Sequence, residues 1–103
     1  MKIYNVLTTE FALNDLESGR AFYAKTSQEL GDYFFNTLVS DIESLRFYAG
    51  IHLKEDEFYK MFSKRFPYSI YYDLLPNDTV RVVAVFDQRK NPLLNYEELF
   101  SRD

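Results

Sequence analysis

The sequence predicts an α+β fold in which a helical hairpin packs on a small antiparallel sheet, in the order β-α-α-β-β-β. Apolar residues recur at helical spacing between residues 10 and 45, and apolar and polar residues alternate between residues 66 and 86. Because helices repeat every 3.6 residues and strands every 2, the two halves form different kinds of element. A chain of 103 residues suits one domain, so residues 1–103 should share a single core.

The first half reads as a short strand followed by two helices. Residues 2–7 alternate as a strand, and Thr8 or Thr9 can cap the helix that follows. Gly19 lies on the apolar face of this helix and costs about 1 kcal/mol relative to Ala, which predicts close approach of another element. Thr26 or Ser27 starts the second helix. Its apolar stripe consists of Leu30, Phe34, Phe35, Leu38, Ile42 and Leu45.

The second half reads as strands. A loop over residues 50–56 precedes a strand at 58–64, and residues 66–86 form a hairpin around a turn at 76–78. Strand parity places Tyr68 and Tyr72 under the helices and predicts that Tyr71 is exposed. Residues 93–100 are expected to form a last helical turn or two. Its predicted anchors are Leu94, Tyr96, Leu99 and Phe100.

Composition narrows the class of protein. Cysteine is absent, which removes disulfides and thiolate zinc sites, and the three glycines form no phosphate-binding loop. No metal or cofactor is therefore expected. No apolar run has the length of a signal peptide or a membrane span, so we expect a cytoplasmic protein. His52 has no motif around it and is interpreted as an ordinary surface residue.

Charge is distributed unevenly along a chain of net charge −4. Residues 1–59 hold five basic and ten acidic side chains, whereas residues 60–90 hold six basic and three acidic ones. An anionic partner should therefore prefer the second segment, although the overall acidity disfavours a general nucleic-acid binder. Aromatic residues make up 18% of the chain, and tyrosine suits a core, an interface or a stacking surface.

Several short runs resemble the RelE/ParE family of toxins. They are Arg65-Phe66-Pro67-Tyr68 with the aromatic strand after it, the Val/Ala-rich residues 82–86, and Arg89-Lys90-Asn91-Pro92. Asp15-Leu16, Tyr23 and Leu30-Gly31 match the same family upstream. The similarity spans roughly residues 9–92. The run beginning at Arg65 is more similar to the ParE side, which includes plasmid stabilisation proteins.

The resemblance implies the toxin of a type II toxin–antitoxin system, which a cognate antitoxin neutralises. A ParE-like toxin would act on DNA gyrase, whereas a RelE-like toxin would be an mRNA endonuclease on the ribosome. A third alternative is a member that has lost toxicity and acts as an interaction module, which the acidity of the chain favours. The assembly would be a homodimer or a toxin–antitoxin hetero-oligomer.

The candidate binding residues are cations and apolar anchors of the second half. They are Arg65, Tyr71, Arg81, Arg89, Lys90, Leu94 and Tyr96. A nuclease would use Arg65 and Arg89 as catalytic cations, because developing phosphorane charge needs stabilisation, and Tyr96 or Asp87 for proton transfer. An aspartate is a poor acid at neutral pH, so whether the chain is an enzyme stays open. Asp15 reads as a helix-surface residue or as a brace between helix and sheet.

Overall fold

The computed structural model describes residues 1–102, so Asp103, the last residue of the predicted domain, lies outside the described residues. These residues form five strands, three helices of ten residues or more and one short helical turn. In chain order they are β1 (Asn5–Thr8), α1 (Glu10–Ala24), α2 (Gln28–Glu43), α3 (Leu45–Tyr48), β2 (Leu53–Glu55), β3 (Phe58–Phe62), β4 (Tyr68–Leu75), β5 (Thr79–Asp87) and α4 (Pro92–Ser101). None of the helices within residues 1–102 is long and apolar enough to span a membrane.

Helices α1 and α2 form the predicted hairpin. The Thr9 hydroxyl accepts a hydrogen bond from the Ala12 amide, and the Ser27 hydroxyl accepts one from the Leu30 amide, which caps both helices. The expected close approach at Gly19 is confirmed, because a Cβ there would lie 2.4 Å from the Phe34 ring. Gly31 approaches α1 in the same way, because a Cβ there would lie 2.8 Å from the Arg20 carbonyl oxygen. The two helices therefore touch through glycine.

The sheet has the strand order β1-β5-β4-β3-β2. The β4–β5 hairpin is confirmed, with Asn77 and Asp78 at positive φ in its turn. The prediction of an antiparallel sheet is wrong for β1, which pairs in parallel with β5. Alternation is the same for both strand directions, and the partner lies some seventy residues away, so no local signal gives the direction. Residues 53–55 of the expected loop pair with β3 through a turn at Asp56, whose φ is 55°.

The first face of the sheet packs against α1 and α2. This face carries a continuous core in which Phe34, Leu38 and Ile70 are fully buried. Tyr68 and Tyr72 belong to it, as strand parity predicted. Of the apolar stripe of α2, Leu30 and Phe35 are only half-buried.

The second face of the sheet packs against α4, and here two predictions are wrong. Tyr71 points to this face as expected, but only 9% of its surface is exposed, because α4 covers it. Of the four predicted anchors of the C-terminal helix, only Leu99 is buried. Leu94, Tyr96 and Phe100 are exposed, because a single helix lying on a sheet buries one stripe of side chains and leaves the rest in solvent.

Candidate functional site

Helix α4 is held on the second face by a buried apolar residue, an ion pair and hydrogen bonds from Asn95 to the Asp87 carbonyl and from Tyr96 to Asp56. Leu99 packs with Phe58, Tyr71 and Phe86. The Arg102 guanidinium donates to both carboxylate oxygens of Asp15 at 2.6 and 3.0 Å, and its side chain is only 8% exposed. Of the two roles that the sequence left to Asp15, the structure shows the brace, and it joins α1, β5 and α4.

The same two side chains complete the edge of β5. Strand β1 ends at the pairing of Thr8 with Val82, so β5 has no strand neighbour on that side beyond it. The Asp15 carboxylate accepts from the Val85 amide at 3.0 Å, and Arg102 donates to the Val83 carbonyl at 3.1 Å. Buried backbone groups need such partners, so Asp15 and Arg102 replace the missing part of β1.

A cleft, here called the strand cleft, opens between α4 and strands β3 to β5. Its volume is about 370 Å³, and its walls include Lys60, Ser69, Tyr71, Gln88 and Tyr96. The Lys60 ammonium lies 5.7 Å from the centre of the Tyr71 ring. The buried Ser69 hydroxyl has no hydrogen-bond partner within the described chain. The cleft thus combines aromatic walls, a cation and a free hydroxyl.

A second cleft, the helix cleft, lies between α1 and α4 beside the end of β5. It has a volume of about 360 Å³, and its walls include Gly19, Phe22, Lys90 and Leu94. Phe22 and Leu94 are exposed. Charged residues such as Asp87 and Glu98 also line this cleft, so the two clefts that flank α4 combine apolar and charged side chains.

Aromatic rings and cations form a continuous ribbon at one end of the molecule. The rings of Phe22, Tyr23, Phe66 and Tyr33 follow one another at centroid distances of 5.1, 5.0 and 5.6 Å. Arg89 and Lys25 both lie over the Phe22 ring, at 5.6 and 5.9 Å.

Arg65 marks the other end of this ribbon, where it donates to the Tyr33 hydroxyl at 3.1 Å. Arg89 likewise donates to the Tyr23 hydroxyl at 3.3 Å. Arg65 and Arg89 therefore share one end of the molecule, linked by aromatic side chains.

The Asp87 carboxylate pairs with the guanidinium of Arg89 and takes up two of its hydrogen-bond donors. The guanidinium donates to both Asp87 oxygens at 2.9 Å. Burial acts to raise the pKa of Asp87, but the hydrogen bonds from Arg89 outweigh it and the pKa is lowered. The bond to Asp87 also raises the pKa of Arg89. Asp87 therefore stays ionised at neutral pH and cannot serve as a general acid.

The remaining predicted residues lie in three different places. Arg81 forms a bidentate ion pair with Asp73 at 2.5 and 3.0 Å, at the far end of the hairpin from Arg89. Tyr71 and Tyr96 line the strand cleft, whereas Lys90 and Leu94 line the helix cleft. Tyr96 donates to Asp56, and this hydrogen bond raises the pKa of the phenol. The Tyr96 phenol is thus engaged by Asp56, whereas Arg65 and Arg89 donate to the hydroxyls of Tyr33 and Tyr23.

His52, which the sequence suggested is an ordinary surface residue, is half-buried and hydrogen-bonded to Tyr72. Its Nδ1 lies 2.6 Å from the Tyr72 hydroxyl, which also accepts from the Gly50 amide at 2.9 Å. The Tyr72 hydroxyl and the imidazole thus share a hydrogen bond whose donor is set by the histidine tautomer. Burial lowers the pKa of His52. Among residues 1–102, no group of three or more acidic or histidine side chains is placed to hold a metal ion.

Sequence reasoning missed Arg102, Lys60 and Ser69. Arg102 follows an acidic stretch with no motif, and its partner Asp15 lies 87 positions earlier. Lys60 and Ser69 alternate with core residues on their strands. Parity could have placed them on the second face, but that face was expected to be open.

No protein-family model and no curated protein matches the sequence. Among solved structures, a chain of the chromosomal ParDE toxin–antitoxin system from P. aeruginosa superposes with a TM-score of 0.74 at 14% identity. The match covers 82% of this chain and 96% of that one. The chain has the RelE/ParE fold.

Two structures of the E. coli toxin RelE also match. A mutant in the free state gives a TM-score of 0.49 at 20% identity, covering 97% of this chain and 93% of that one. The isolated toxin gives 0.45 at 21% identity, covering 96% and 97%. Assignment of the RelE/ParE fold rests on the ParDE chain, and it confirms the predicted α+β fold.

Proposed function

We propose that the protein is the toxin of a type II toxin–antitoxin system, that it binds a protein target in the manner of ParE-like toxins, and that a cognate antitoxin neutralises it. The observation that carries this proposal is the fold shared with the ParDE chain over 82% of the sequence. Fold alone does not define function, so the surface must supply further support. Two features of the surface support a protein target: the exposed apolar residues of α4 and the contacts made by the candidate proton-transfer groups.

The first feature is the apolar surface of α4. Leu93 and Leu94 are both more than 60% exposed, and two clefts open beside the helix. Exposed apolar side chains next to clefts favour protein–protein contact. The antitoxin is expected to cover this surface.

The second feature concerns the choice between a protein target and RNA cleavage. Cleavage would require Arg65 and Arg89 to act beside a group that transfers protons. Asp87 is held as a carboxylate by Arg89, and Tyr96 donates to Asp56. The net charge of −4 also opposes association with RNA. These contacts favour DNA gyrase, or another protein, as the target.

Expression in bacteria tests the proposal. The chain should arrest growth when induced alone, and co-expression of the neighbouring small reading frame should restore growth. Purified protein should inhibit plasmid supercoiling by gyrase, and mapping of mRNA 5′ ends should show no codon-linked cuts. Cuts without gyrase inhibition would identify a RelE-like nuclease, and absence of arrest would identify an interaction module.

The two leucines at the start of α4 provide a matched pair of variants. Leu94 lines the helix cleft and Leu93, at similar exposure, lines neither cleft. We expect Leu94→Glu to abolish copurification with the antitoxin, because the charge would enter an apolar contact. Leu93→Glu should preserve copurification. Equal behaviour of the two variants would show that the helix cleft is not the contact.

A further inference from the structure

Arg65 differs from every other arginine of the chain. The other five arginines are paired with carboxylates: Arg20 with Asp32, Arg46 with Glu43, Arg81 with Asp73, Arg89 with Asp87 and Arg102 with Asp15. Arg65 is exposed, and its one hydrogen-bond partner among residues 1–102 is the Tyr33 hydroxyl. We propose that Arg65, with Lys64 and Tyr33, binds the carboxylate of one acidic side chain of a polypeptide partner.

The loop that carries Arg65 is fixed on both sides. The amide of Ser63 donates to the Tyr68 carbonyl at 2.9 Å, which closes the loop between β3 and β4. The Ser63 hydroxyl donates to the buried carboxylate of Asp41 on α2 at 2.7 Å. On the other side, the Phe66 ring contacts Tyr33 and Phe34. Arg65 is therefore presented by a loop that need not reorganise to bind.

The surroundings of Arg65 offer hydrogen-bond donors. Lys64 and Arg65 line an open cleft of about 400 Å³ above α2, together with Tyr33, Thr37 and Ser40. Because the Tyr33 oxygen accepts from Arg65, its own O–H is free to donate to a ligand. A planar guanidinium binds a carboxylate through two parallel hydrogen bonds. One carboxylate could thus contact the arginine and the phenol together.

A peptide carboxylate fits this cleft better than nucleic acid does. Helix α2, which forms the floor, carries four acidic side chains and no lysine or arginine. A nucleic-acid strand would lay consecutive phosphates along this helix, and the net charge of the whole chain is −4. A single acidic side chain would meet the two cations and avoid the rest of α2. Asp41 also lines the cleft, but its side chain is buried and its carboxylate accepts a hydrogen bond from the Ser63 hydroxyl.

This inference rests on the proposed function for the identity of the partner, because the antitoxin is the polypeptide expected to wrap the protein. The cleft lies on the α2 side, away from the clefts that flank α4. The antitoxin should therefore contribute an acidic side chain here in addition to its apolar contact with α4.

A peptide titration tests the cleft without antitoxin or growth assay. The ¹⁵N-labelled full chain is titrated with acetyl-(Gly-Glu)₄-amide, with the matched acetyl-(Gly-Gln)₄-amide, and with an eight-residue oligothymidylate, while the Arg65 Nε–Hε signal is followed. Arg65→Gln removes the proposed contact. Arg46→Gln makes the same change of charge at a half-buried arginine already paired with Glu43. Tyr33→Phe removes only the hydroxyl.

The acidic peptide should shift the Arg65 signal, and the glutamine peptide should not. Affinity should fall about tenfold in Arg65→Gln, the loss typical of one charge-assisted pair, and by less than about twofold in Arg46→Gln. Equal losses in the two variants, an unmoved Arg65 signal, or tighter binding of the oligothymidylate would each overturn the inference. Growth arrest and rescue are scored separately, so failure here and failure of the proposed function give different results.

Discussion

The two faces of the sheet are closed in different ways. Under α1 and α2 a continuous apolar core reaches from Phe34 and Leu38 to the inner residues of β4 and β5. Under α4 the buried cluster is smaller, with Leu99 as the one buried residue of the helix, and polar contacts such as the Asp15–Arg102 pair and the Asn95–Asp87 bond add to the attachment. Stability should therefore reside mainly in the first face, while the second face is free to carry exposed apolar groups and clefts.

The largest effect should come from the first face. Phe34 is fully buried and packs against Tyr23, Phe66 and Tyr68. Phe34→Ala should lower the free energy of unfolding by about 3–5 kcal/mol, because it leaves a cavity that this core cannot fill. Urea denaturation followed by circular dichroism measures the loss. Phe47→Ala, at a half-exposed ring, should cost much less, and similar losses would refute the contrast.

A smaller and more local effect is expected from Arg102→Gln. A broken buried ion pair typically costs about 3–5 kcal/mol, but here α4 can detach and allow water to reach Asp15, which limits the loss to about 2 kcal/mol. Hydrogen exchange should accelerate in α4 and at the Val85 amide while α2 stays protected. Arg46→Gln serves as the control for charge. Uniform acceleration through both faces would show that α4 is part of the main cooperative unit.

The smallest expected effect is the change in the free energy of unfolding as His52 becomes protonated. The pKa of folded His52 is lowered by burial from its ordinary 6.5, so the unfolded chain takes up a proton first. Stability should be constant above about pH 7, fall as the pH drops through 6.5, and level off once folded His52 is protonated. His52→Gln should flatten this part of the curve in urea titrations at about pH 7.5 and 5.5.

Local patterns predicted the elements whose partners are close in sequence. Thr9 and Ser27 cap their helices, Gly19 marks the approach of Phe34, and the β4–β5 hairpin follows from alternation around a short turn. Strand parity also oriented Tyr68, Tyr71 and Tyr72 correctly. These features depend on periods and turns that a single sequence displays.

Features that depend on distant partners were not predictable. Nothing near β1 indicates that it pairs in parallel with β5, and nothing near Tyr71 indicates that α4 covers it. For the candidate site, the sequence suggested Arg65 and Arg89, and the structure places both at one end of the molecule. It did not indicate that Arg89 pairs with the Asp87 carboxylate or that Arg65 donates to the Tyr33 hydroxyl. Arg81 was grouped with them by charge, although it forms an ion pair with Asp73 toward the other end of the β4–β5 hairpin.

The bond between Asp15 and Arg102 also bears on the order of folding. It joins residues 87 positions apart, so forming it closes a very long loop, whereas the helical hairpin and the β4–β5 hairpin form from neighbouring segments. We therefore expect the α4 contact to form after the hairpins. Until then the outer edge of β5 lacks the acceptor for its Val85 amide, and that edge is available for pairing with another chain.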